Sequence, residues 1–138
     1  MAIQQGQTTS FKQQILLGQH DLTTDVLKIA LYTSFASLGA DTTVYSATNE
    51  LVSPGYTAGG VILVNVTVAA SSGVAYVSFN NPSWSGVITN TRGALIYNSS
   101  KSNKSIAVLD FGSDKSAPNT FTITLPANTY SSAVIRIT

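Results

Sequence analysis

The sequence predicts an all-β fold: an antiparallel β-sandwich or jelly-roll-like domain of about seven strands, led by a short helix and an extended arm. Three observations carry that reading. From Val26 onward, apolar residues recur at a period of two in short runs. Those runs recur at a spacing of roughly 10–15 residues and are bounded by Gly, Pro, Asn and Ser clusters. No helical crossover separates them, which excludes an α/β fold.

The chain has 138 residues, the size of one domain. The reading divides it into an arm (1–9), a helix (10–19) and a β domain (26–138). The arm is polar and aperiodic. In the helix, Ser10 is the expected N-cap, with Gln13 completing a capping box. Phe11 and Ile15 share its apolar face, with Leu16 at its margin, and Gly18 is the expected stop. Two turns of helix do not stand alone in water, so that face must dock on something.

Val26–Thr33 reads as the first strand, with Leu27, Ile29 and Leu31 on one side. Ser34–Gly60 is a long connection of the kind that often carries function. Short strands are expected in it near Val44-Tyr45 or Glu50-Leu51-Val52. Val61–Val68 reads as the clearest strand. Ser71-Ser72-Gly73 then turns it into the hairpin partner Val74–Phe79. Further strands are expected over Thr91–Asn98, Ser105–Phe111, Thr120–Leu125 and Ala133–Ile137. Polar loops are expected over Ser99–Lys104 and Gly112–Asn119.

Composition excludes several functions. Charged residues make up 9% of the chain, against about 25% in an average soluble protein. Seven Lys and Arg balance six Asp and Glu, for a net charge of +1. That leaves no cationic stripe for nucleic acid. With no cysteine there is no disulfide, thiolate nucleophile or Cys-ligated zinc. No apolar run is long enough to span a membrane. Met1-Ala2-Ile3-Gln4-Gln5-Gly6 lacks the features of a signal peptide. Polarity rests on Ser, Thr, Asn and Gln, which suits neutral hydrogen bonding and close packing against other subunits.

Catalytic constellations are missing from the pattern. His20 is the single histidine and reads as a helix-end contact. No serine sits in a G-x-S-x-G elbow. The carboxylates Asp21, Asp25, Asp41, Glu50, Asp110 and Asp114 fall in expected loops or strand ends, with Asp110 and Asp114 in a solvated turn. Gly59-Gly60 precedes a strand and reads as a tight turn, not a phosphate loop. Trp84, Tyr45, Tyr56, Tyr76 and Tyr97 would suit a sugar-stacking face, but Trp84 reads as a core plug or loop anchor. No enzyme activity, cofactor or metal is expected.

The order of several short motifs resembles a family. They are Ser10-Phe11-Lys12-Gln13-Gln14-Ile15-Leu16-Leu17-Gly18, Val26–Tyr32, Gly55-Tyr56-Thr57-Ala58-Gly59-Gly60-Val61, Trp84, Thr91-Arg92-Gly93-Ala94-Leu95-Ile96-Tyr97-Asn98 and Ala107-Val108-Leu109-Asp110-Phe111-Gly112. The series is similar to small virion structural proteins of tailed bacteriophages and covers about Ser10 to Phe111. The resemblance implies a non-enzymatic particle component: a head decoration (cement) protein, or a tail, neck or fibre part. A decoration protein would sit on the outer surface of the head. Its partners would be the major capsid protein or other virion proteins, and it would be a homo-oligomer, dimer or trimer. A carbohydrate-binding module is the further alternative. Expected partner contacts are Ile3, Gln4, Gln5, Thr8 and Thr9 of the arm, Phe11 and Ile15 of the helix, and Tyr45 and Tyr56 of the long loop. Deleting residues 1–9 is expected to abolish binding and leave the fold intact.

Overall fold

The computed structural model describes residues 2–138. Their elements, in chain order, are β1 (Gly6–Gln7), α1 (Thr9–Leu16), β2 (Leu27–Tyr32), β3 (Val61–Ile62), β4 (Thr67–Ser71), β5 (Val74–Ser78), β6 (Ser83–Ser85), β7 (Ile88–Asn98), β8 (Lys104–Ala117), β9 (Thr120–Thr122) and β10 (Ile135–Ile137). The strands form a five-stranded sheet in the order β1-β8-β7-β2-β3, a three-stranded sheet β10-β5-β4 and a two-stranded ribbon β6-β9. All pairings between these strands are antiparallel. The chain is mostly β, in the class the sequence predicts.

The strand boundaries depart from expectation for local reasons. The run Val61–Val68 is not one strand. Asn65 takes a left-handed backbone (φ 58°), a conformation that Asn tolerates better than most residues. That break passes the chain from β3, paired with β2, to β4, paired with β5. The Gly112–Asn119 segment is not a loop, because β8 continues through it to Ala117. Asp110 and Asp114 therefore lie on a strand. Thr120–Leu125 shortens to β9, and Ala133–Ile137 shortens to β10. In the long connection, the expected short strands reduce to single bridges, Val44 with Lys104 and Glu50 with Tyr32.

The helix begins one residue earlier than expected and ends at Leu16. Its N-cap is Thr8, not Ser10: the Thr8 hydroxyl accepts the Phe11 N–H at 3.3 Å. Ser10 instead hydrogen-bonds Thr42 O and the Ser105 hydroxyl. Gly18 does stop the helix, with φ +70° and its N–H on Ile15 O.

The five-stranded sheet is buried on both faces, which explains its near-continuous apolar runs. Leu27, Ile29 and Leu31 of β2 and Ala94 and Ile96 of β7 face the larger core. There they meet Phe11 of the helix, Val77 and Ile135 of the small sheet, and Trp84. Ala30, Tyr32, Leu95, Tyr97 and Val108 point the other way, into a second core. Its cover is the arm, through Ile3, and the long connection, through Ala36, Leu38 and Tyr45.

Candidate interaction surface

The arm is laid along its own domain. Gln4 N–H donates to Leu38 O and Leu38 N–H to Ala2 O. β1 pairs with β8. Of the nine residues expected to contact a partner, Ile3, Thr8, Phe11 and Tyr56 are buried inside this chain. Ile15 and Tyr45 are half-buried, and Gln4, Gln5 and Thr9 are exposed. The burial of Thr8 has a clear cause, since its hydroxyl lies 2.9 Å from that of Ser105.

Tyr56 and Tyr45 serve one buried carboxylate. Glu50, which the sequence places in the long connection, is 8% exposed. Its oxygens accept the hydroxyls of Tyr45 (2.6 Å) and Tyr56 and the N–H of Gly59 (2.7 Å). Tyr56 Oη in turn accepts the Leu31 N–H at 3.1 Å, tying the loop to β2. Tyr97 donates to Gly59 O (2.6 Å) and stacks on Tyr45 at 4.7 Å. Burial, followed by the hydrogen bonds and charge of Glu50, pushes the Tyr56 and Tyr45 hydroxyls above their ordinary range. They stay protonated and donate. The network fastens residues 45–59 to the five-stranded sheet, with Tyr45 against the second core and Leu51 and Tyr56 in the larger one. Gly59 and Gly60 turn there with φ +96° and +82°, as the sequence predicts.

His20 closes the end of the helix through side chains, not carbonyls. Its Nε2 lies 2.8 Å from Gln14 Oε1, and its Nδ1 3.0 Å from Asn98 Nδ2. The Asn98 amide also donates to Asp25 Oδ2 (2.7 Å), and Lys101 Nζ donates to Asp25 Oδ1 (2.7 Å). Burial holds His20 below its usual pKa, partly opposed by Asp25 and helped by Lys104 and Lys101. Both ring nitrogens are occupied, so the ring has none free for a substrate or metal. Among the described residues, no group of three or more His, Cys, Asp or Glu is placed to hold a metal. Trp84 is 4% exposed and packs between Tyr56 and Phe121, so it is a core plug and offers no face to a sugar.

One open surface is markedly apolar. At the end of α1, Leu16 is 88% and Leu17 62% exposed. Leu16 and Ile15 share a surface with Arg136 and the exposed Ile137. A groove of about 490 Å³ continues between the helix and the small sheet, lined by Phe11, Ile15, Leu22, Val68, Val77 and Ile135. No helix among the described residues is long and apolar enough to cross a membrane. Comparison with protein-family models, with curated proteins and with solved structures found no match to this chain.

Proposed function

We propose that this chain is a virion structural protein of a tailed bacteriophage, a capsid decoration protein that binds and stabilises the assembled major capsid shell. On this reading its sheets pack as a β-sandwich and it sits on the outer surface of the head. The observation that carries the docking role is the pair of leucines at the end of α1. Two adjacent large apolar side chains, beside Ile137, are held in water by an otherwise folded domain. A patch of that kind marks a contact site. Gln7, Thr138 and the two cations Lys12 and Arg136 beside it supply a polar rim. The virion assignment rests on the motif order from Ser10 to Phe111.

Two measurements test the proposal. Quantitative mass spectrometry on purified virions gives the copy number. Parity with the major capsid protein supports decoration. A number far below it replaces decoration with a tail, neck or fibre part, and absence from the particle overturns both. The double variant Leu16→Ser, Leu17→Ser removes the patch at exposed positions, where the fold is little affected. It should fail to bind shells. Normal binding would overturn the docking role of the helix end.

A further inference from the structure

Every sheet edge invites pairing with another chain unless something blunts it. Among the described residues the other edges are short or charged: the outer edge of β8 beyond Val108, which β1 leaves unpaired, carries Asp110, Asp114 and Lys115. β1 and β3 have two residues each, and β6 and β9 have three. β10 carries Arg136, whose outward carbonyl is already taken by the Gln7 side-chain amide at 2.7 Å. The outer edge of β4 is different. It has five residues, Thr67-Val68-Ala69-Ala70-Ser71, with no charge and no proline. It ends the small sheet, and four of its five residues are exposed. The absence of charge extends well beyond the strand: residues 51–91 contain no Asp, Glu, Lys, Arg or His.

The hairpin fixes which groups point outward. Ser72 and Gly73 form a two-residue turn with φ +52° and +79°, which makes Ser71 and Val74 a hydrogen-bonded pair. Alternation then gives Ala69 and Thr67 to β5. The N–H and C=O of Val68 and Ala70 face away from the sheet. Val68 lies opposite Val77, a core residue, so its side chain is on the inner face beside the apolar groove.

We infer that β4 is a self-association edge, and that its occupant is β4 of a second copy of this chain, paired antiparallel about a two-fold axis. Charge selects this occupant. In an isologous contact each residue faces its own mate or a close neighbour of it. A charged residue on the axis would face its like, and an edge whose charges were all of one sign would repel its own copy, so an edge with no charge at all suits self-pairing. An edge built for a foreign strand is under no such restriction. The register centred on Ala69 uses all four outward groups, with Val68 opposite Ala70 of the second copy and Ala69 opposite Ala69. The small side chains allow that approach, and the two small sheets merge into one of six strands. Val68, 50% exposed in the single chain, gains cover on the face that carries the groove. The inference rests on the edge alone and stands whether or not the chain belongs to a particle.

The test uses the full chain in sedimentation velocity and light scattering, up to about 1 mM, the weak limit of specific association. A concentration-dependent dimer is expected. Ala70→Pro deletes an outward N–H that makes no bond within the sheet, a placement proline tolerates on an edge strand. Ala69→Lys sets two like charges against each other across the axis. Both variants should be monomers, with unchanged far-ultraviolet circular dichroism and unchanged fluorescence of the buried Trp84. In the native chain, the Val68 and Ala70 amides should become protected from hydrogen exchange as concentration rises. The inference is overturned by a monomer throughout the range, by a trimer, or by a dimer that both variants retain.

Discussion

Replacing Glu50 is the sharpest test of how this fold is held. Three donors converge on its carboxylate, and it is 8% exposed. A hydrogen bond to a charged group is worth about 1.5–3 kcal/mol. The three bonds do not sum, because they share one carboxylate whose burial itself costs energy. Glu50→Ala strands the Tyr56 hydroxyl, which is buried and bonded on its other side to Leu31 N–H. One stranded polar group costs about 1–3 kcal/mol. The truncated side chain adds a cavity term of similar size. We expect a total near 3–4 kcal/mol, or roughly 10 °C in Tm for a domain of this length.

Glu50→Gln separates charge from shape. The amide keeps one acceptor oxygen, but its NH2 group faces donors where the second oxygen stood. The expected cost is about 1.5–3 kcal/mol. Urea denaturation followed by Trp84 fluorescence measures both variants, since the indole lies 6.4 Å from the Tyr56 ring. A double-mutant cycle with Tyr56→Phe should give a coupling of about 1–2 kcal/mol. Hydrogen exchange should rise first in residues 45–59. If Glu50→Gln costs less than about 0.5 kcal/mol, within the range of an ordinary surface substitution, the fastening role is refuted.

Three further outcomes follow from named contacts. Burial tends to raise the Asp25 pKa, but the Lys101 and Asn98 hydrogen bonds outweigh it and hold the group at about 2, against 3.8 ordinarily. The folded value is the lower one, so this stabilisation, about 1–2 kcal/mol after screening, is present above pH 3.8 and is lost as pH falls toward 2. His20, held below 6.5 by burial, acts in the same direction and begins to cost stability below that pH. Thermal unfolding against pH should therefore decline below 6.5 and steepen at the lower range, and Asp25→Asn should remove the steep part. Gly60→Ala should give no folded protein, since its Cβ would lie 1.8 Å from Ile29 O, whereas Gly59→Ala meets only ordinary contacts and should cost about 1–2 kcal/mol for its left-handed backbone. Deleting residues 1–9 should destabilise the domain and lower the urea midpoint, contrary to the expectation from sequence, because it removes Ile3 from the second core and Thr8 from the helix cap.

The periodicity that made β2 and β7 legible also concealed what lies over them. A strand buried on both faces announces its burial through a continuous apolar run, but not what covers each side. The cover here is a nine-residue polar arm and a connection with almost no regular structure, and neither has a hydrophobic period to read. Ile3 is a single apolar residue among polar ones, so nothing in its neighbourhood marks it as core. Glu50 was hidden for a related reason. Its burial depends on Tyr45, Tyr56 and Gly59 arriving from the same loop, and loop geometry is set by tertiary contacts, not by local propensity. The break at Asn65 shows a signal present but unweighed: an Asn interrupts a run that is otherwise apolar or β-branched, and Asn is a residue that takes the left-handed turn needed there. Ser10 fits the N-cap pattern by sequence, but Thr8 takes the role, and the contacts that hold Thr8 there, Ile106 O on its N–H and the Ser105 hydroxyl on its side chain, come from the distant strand β8.

These placements also redirect the search for a docking surface. An arm that fills the chain's own second core cannot also reach across to a neighbour without uncovering Tyr32, Leu95 and Val108. Phe11 is in the same position, since it supports the larger core. The groups left to a partner are those whose bonding and burial are incomplete in the single chain. Four of them lie around the small sheet, Leu16 and Leu17 at the helix end, Ile137 on β10 and Val68 on the β4 edge, while Phe35 and Val52 are exposed on the long connection. The five-stranded sheet is covered on both faces, and the small sheet beside it carries unfinished contacts. A shell partner at the helix end and a second copy at β4 would use opposite edges of that one sheet, so the two contacts need not compete.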